Sequence, residues 1–87
     1  MNELETEIRH RLSILEPLRM ELVDQSSAHA GHRGSSGGGH FFLTIVSNQF
    51  SGLSAVARHR AVYQALGDLM AGRIHALSIN ALAPDES

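Results

Sequence analysis

The sequence predicts one small α+β domain, in the order helix, strand, long loop, strand, helix, strand, and three observations predict it. Leu4, Ile8, Leu12 and Leu15 recur at i, i+4, i+8 and i+11, the apolar stripe of an amphipathic helix. LRMELVD (18–24) alternates as a half-buried strand does, and HFFLTIVS (40–47) is an apolar, β-branched and aromatic run of strand length. Between them QSSAHAGHRGSSGGG (25–39) offers too little apolar content and too many glycines to build a regular element.

Taken in order, the first helix carries Glu3, Glu5 and Glu7 in its opening turns, where the helix dipole favours negative charge, and Pro17 follows its end. In the first strand Leu18, Met20 and Leu22 face one way, Arg19 and Glu21 the other. The 25–39 segment is expected to be a flexible loop rich in histidine and glycine. FSGLS (50–54) breaks the second strand, with Phe50 plugging the core and Gly52 turning the chain. Ser54 is placed to cap a long helix running to about Ala71. Its apolar positions include Val56, Ala57, Ala61, Val62, Ala65, Leu66, Leu69 and Met70, and Gly72 supplies a C-terminal stop. RIHALSIN (73–80) is the third strand, and APDES (83–87) reads as a frayed tail.

Composition bounds the function. A chain of 87 residues has room for one core. It contains no cysteine, which excludes disulfides, thiol nucleophiles and thiolate ligation of an iron–sulfur cluster by this chain. Net charge is −2, with seven arginines and no lysine, a balance that argues against strong nucleic-acid binding by bulk electrostatics. Protonating all six histidines would carry that −2 to roughly +4. No run approaches the roughly 18 apolar residues of a membrane span, and MNELETEIRH has none of the features of a presequence. The expectation is a soluble intracellular protein, cytoplasmic if bacterial, with no membrane partner.

The histidines carry the chemistry. His29, His32 and His40 lie in or beside the long loop, and His75 opens the third strand. A strand–helix–strand unit crosses over right-handed, so strands two and three run parallel if they share a sheet. As neighbours, they would bring His40, His75 and the loop histidines to one end of that sheet, a candidate metal or pH-sensing site. The bland alternatives stand beside it. His75 shares an alternation face with Leu77 and Ile79, which also describes a half-buried histidine bonded at a sheet end. His29 and His32, at i, i+3, could bind one metal ion or simply lie in a solvated loop. His40 could cap the strand edge. Ser47, Ser51 and Ser54 have no histidine–acid arrangement for nucleophilic catalysis, Glu21 and Asp24 form no acid–base pair, and SSGGGH lacks the Lys and Ser/Thr of a P-loop. Nothing argues for an enzyme.

Val23-Asp24-Gln25-Ser26, His29-Ala30-Gly31-His32, His40-Phe41, Ile45-Val46-Ser47, Phe50-Ser51-Gly52, Arg58-His59-Arg60 and Ile74-His75-Ala76-Leu77 resemble the BolA family in order and spacing, from about Ile8 to Pro84. The resemblance implies a fold similar to the class II KH domain, a three-stranded mixed sheet with helices on one face. It also implies two roles. In one, the chain partners a monothiol glutaredoxin and shares a [2Fe-2S] cluster, the glutaredoxin supplying a cysteine and bound glutathione. This chain would then supply His75 and a second ligand from the first strand–strand loop. With histidines and no cysteine there, it resembles the His-type members, and His29, His32 and His40 all remain candidates for that second ligand. On this reading the isolated chain is a monomer with no cofactor of its own and forms a heterodimer with its partner. In the other role, a DNA-binding transcriptional regulator, Arg58, His59 and Arg60 open the helix that resembles the family's proposed DNA-contacting segment. Arginines two positions apart point to different faces of a helix, so they make a poor phosphate track. Arg60 could instead pair with an acidic residue inside the protein, and Arg58 across a partner interface.

Overall fold

A computed structural model describes residues 3–25 and 39–87. Helix α1 spans Glu3–Leu12, strand β1 Arg19–Asp24, strand β2 Gly39–Val46, helix α2 Ala55–Leu66 and strand β3 Ile74–Leu82. The element order is the one the sequence predicts. The sheet runs β1-β2-β3, with β1 antiparallel to β2 and β2 parallel to β3.

One face of this sheet is the core face. Met20 and Leu22 of β1 stand opposite Ile45 and Leu43 of β2, and Phe41, Leu77, Ile79 and Ala81 continue the layer. Ile8 and Leu12 of α1 and Val62 and Leu66 of α2 close over it, all completely buried. Burying side chains of that size contributes about 1.5–3 kcal/mol each. Phe50 plugs the same core from the turn after β2, as expected, and Gly52 turns the chain with φ +80.

Polar ties fix how the elements meet. Arg11 donates to Glu7 on its own helix and reaches across to Leu66 O and Asp68 Oδ1, both at 2.9 Å, so α1 satisfies a free carbonyl at the end of α2. Ser47, fully buried, donates to Leu15 O at 2.6 Å and accepts from Gln49 N at 3.0 Å. That joins the end of α1's trailing turn to the end of β2.

Three expectations need correction. Leu18 is 63% exposed, because the strand begins only at Arg19, just after Pro17. The second helix stops at Leu66, not Ala71, because Gly67 turns to φ +56; a 3₁₀ segment, Gly67–Ala71, then keeps Leu69 buried. The tail is not frayed. Pro84–Glu86 form a 3₁₀ turn that is tied back onto α2.

Candidate functional site

His40 and His75 are the second residues of their parallel strands, and the starting ends of those strands lie side by side. Gly39 pairs with Ile74, and the next pair is His40 with Ala76, so His75 has no partner across the ladder. This one extra residue is a bulge, and its effect is to re-aim a side chain. Ile74 is buried in the core, and Leu77 packs against it again three residues later. Strict alternation would have placed His75 on that core face beside Leu77 and Ile79. The bulge turns it out to the opposite, open face, where it is exposed.

There it meets His40. The two imidazole rings stack with centroids 5.0 Å apart and planes 22° from parallel. Gly39 N donates to Arg73 O at 3.0 Å, which pins the two strand starts together, and His40 O accepts from Gln25 N at 2.7 Å. Gly39 has its own steric reason. A Cβ there would run into the Phe41 ring, which is buried in the core. On the same open face Phe42 lies opposite Val23 of β1 and two residues from His40, both rings and methyls partly exposed at 37% and 49%. The histidine pair therefore has an apolar border that alternation alone did not single out.

Of the four candidate histidine ligands, the structure brings these two together; His29 and His32 lie outside the described residues. Among the described residues no group of three or more His, Cys, Asp or Glu could hold a metal ion. The pair can supply imidazole nitrogen but cannot complete a coordination sphere.

The arginine pattern divides as its helical spacing requires, with the two residues exchanging expected roles. Arg58, not Arg60, is paired inside the chain. Its Nε donates to Leu53 O at 3.0 Å, Nη1 to Ala81 O at 3.0 Å and to Glu86 Oε1 at 2.5 Å, and Nη2 to Glu86 Oε2 at 3.0 Å. The guanidinium holds the Glu86 carboxyl down at about 2, helped by the Ala83 N–H. Arg60 and His59 instead line a shallow cavity of about 500 Å³ on the outer face of α2, with Val56, Tyr63 and Gln64. No helix among the described residues is long and apolar enough to cross a membrane.

Two helices lie over one face of a three-stranded mixed sheet, with paired imidazoles on the other face, an α+β domain of the kind seen in solved BolA domains. The BolA-like protein family model matches residues 12–86, and the chain belongs to that family. It is 47% identical over 78 residues to SufE-like protein 1, chloroplastic/mitochondrial, of Arabidopsis thaliana, covering 83% of this chain and 21% of that protein. It is 42% identical over 71 residues to the DNA-binding transcriptional regulator BolA of Vibrio cholerae, covering 82% of this chain and 65% of that one. The chain thus spans less than two thirds of either relative. The solved structure of BolA1 from Arabidopsis thaliana superposes with a TM-score of 0.85 at 38% identity, over 100% of this chain and 98% of that one.

Proposed function

We propose that this chain is an adaptor that binds a monothiol glutaredoxin and shares a [2Fe-2S] cluster with it, in iron–sulfur assembly, transfer or iron and redox sensing in the cytoplasm. The observation that carries this reading is the stacked His40–His75 pair on the open sheet face, bordered by Val23 and Phe42. Imidazole is a competent iron ligand, and the stacked pair offers two of them in a chain with no cysteine. Such a donor set fits a cluster whose remaining ligands come from a partner and its glutathione, and does not fit one held by this chain alone. When bound, a cluster with imidazole at one iron supplies one-electron chemistry at a raised potential.

In this reading His75 is the ligand from β3. The second is His40 or one of the loop histidines, His29 and His32. His40 packs on the face of His75 and restrains its ring, while Val23 and Phe42 give the partner an apolar contact that excludes water from the cluster's edge. Ligation requires neutral imidazole, so the shared complex loosens as pH falls.

Visible absorption and circular dichroism report on the cluster's ligands. Titrating the chain into a [2Fe-2S]-loaded monothiol glutaredoxin should give a new spectrum that saturates at a defined ratio. His75→Ala should abolish that spectrum while leaving the far-ultraviolet signal of the fold. An unchanged cluster spectrum at saturation would remove the adaptor reading for this partner.

A second reading, a DNA-binding regulator, is favoured by the Vibrio cholerae relative's name and by the exposure of Arg60, beside half-buried His59, on α2. Arg58 has its donors committed to Leu53, Ala81 and Glu86, so phosphate contact would fall to Arg60 and His59. Salt-dependent binding of duplex DNA that weakens in Arg60→Ala supports this reading, and binding indifferent to that substitution counts against it.

A further inference from the structure

The stack at the sheet end distinguishes a ligand from its support. A metal ion lies in the plane of the imidazole that binds it, roughly 2 Å from the nitrogen. An ion held by two imidazoles therefore lies in both ring planes at once. The His40 and His75 rings are stacked, with centroids 5.0 Å apart and planes only 22° from parallel. Planes so nearly parallel meet several ring widths away, far beyond the bonding reach of either nitrogen. In this arrangement the pair cannot close on one iron.

The two rings are also held unequally. His40 sits in the central strand, half-buried, paired with Ala76 on one side and accepting from Gln25 N through its carbonyl on the other. His75 is exposed on the outer strand, and the bulge leaves it without a ladder partner. One ring is fixed by its surroundings, and the other is offered to solvent. A lone exposed imidazole samples several rotamers, and a ligand that must be ordered on binding loses affinity by that much. Stacking on a fixed ring removes the freedom beforehand.

We infer that His40 is a positioning residue and not a ligand: its ring is the platform that orients His75, and the sheet end supplies one imidazole to the iron, not two. The inference rests on the adaptor reading and narrows the choice of second ligand which that reading leaves open. Its chemical consequence is specific. A flat ring with no nitrogen should serve at position 40 as well as histidine does.

Two variants of the full chain separate the roles. His40→Phe keeps a flat ring and removes both nitrogens, and His40→Ala removes ring and nitrogens together; far-ultraviolet circular dichroism verifies that each is folded. In the isolated chain, the His75 ring protons should lie upfield in the wild type and in His40→Phe, and move downfield in His40→Ala. With a [2Fe-2S]-loaded monothiol glutaredoxin, His40→Phe should keep every nitrogen-15 coupling that the labelled wild type shows, and bind within about twofold of it. His40→Ala should also keep the couplings while raising the dissociation constant about tenfold. A coupling lost in His40→Phe, a His40→Phe complex as weak as that of His40→Ala, or a His40→Ala complex as tight as the wild type would each overturn the inference while sparing the adaptor reading. So would His75 ring protons that stay in place in His40→Ala. A wild type that shares no cluster would overturn the adaptor reading, and this inference with it.

Discussion

Arg58 and Glu86, 28 positions apart, meet fork to fork, with Nη1 and Nη2 donating to the two carboxylate oxygens. The same guanidinium reaches Leu53 O and Ala81 O, so a single side chain fastens the start of α2, the end of β3 and the C-terminal turn. Planar, bidentate geometry of this kind suits arginine and not lysine.

This clamp has an acid limit. Glu86 is lowered from 4.5 to about 2 by Arg58 and the Ala83 N–H, so its stabilising contribution is complete above about pH 4.5 and lost as pH falls towards 2. Glu86→Gln should lower the thermal midpoint above pH 5 by a constant amount, and the gap from wild type should close between pH 4.5 and 2. Thermal unfolding followed by circular dichroism across that range measures it. Parallel curves would mean that the carboxylate does not carry the clamp.

Ser47→Ala removes the donor to the buried Leu15 carbonyl and the acceptor for Gln49 N. Leaving a buried carbonyl unsatisfied costs about 1–3 kcal/mol. Urea unfolding should show a lower midpoint at an unchanged slope.

Gly39→Ala should disturb both stability and site. The added methyl meets the buried Phe41 ring, which has to move, at a cost of about 1–3 kcal/mol. Gly39 also faces the bulge, so the His40 and His75 ring resonances should shift in proton–carbon NMR spectra. His ring signals identical to wild type would show that the bulge does not depend on this contact.

Phe50 and Val56 offer a contrast on either side of one turn. Phe50 is completely buried, and Phe50→Ala should cost about 3–5 kcal/mol; Val56 is 66% exposed, and Val56→Ala should stay within about 0.5 kcal/mol. Equal losses in chemical denaturation would contradict the placement of the core.

The order of elements and the parallel pairing of β2 with β3 were legible because hydrophobic period and crossover geometry are local or nearly so. That put His40 and His75 at one sheet end from sequence. The face His75 occupies was not legible, because a period-two pattern cannot see the one-residue bulge between Ile74 and Leu77. The same limit hid Val23 and Phe42 as the site's border. The helix end was misread for a different reason: Leu66, Leu69 and Met70 continue the apolar pattern past Gly67, where the backbone changes to a 3₁₀ turn. APDES has no apolar anchor, and what orders it is a guanidinium far away in sequence. The divided roles of Arg58 and Arg60 follow from helical spacing, but which of them turns inward depends on where Glu86 returns.

The adaptor role proposed for this chain requires His75 to ligate a cluster shared with a monothiol glutaredoxin. Pulsed electron paramagnetic resonance of the reduced mixed complex, with only this chain's histidines labelled with nitrogen-15, tests it most directly. Coupling to a labelled imidazole nitrogen, lost in His75→Ala while the fold persists, is the predicted result. A complex that forms and holds its cluster, yet shows no labelled-nitrogen coupling, would rule out ligation by this chain's histidines.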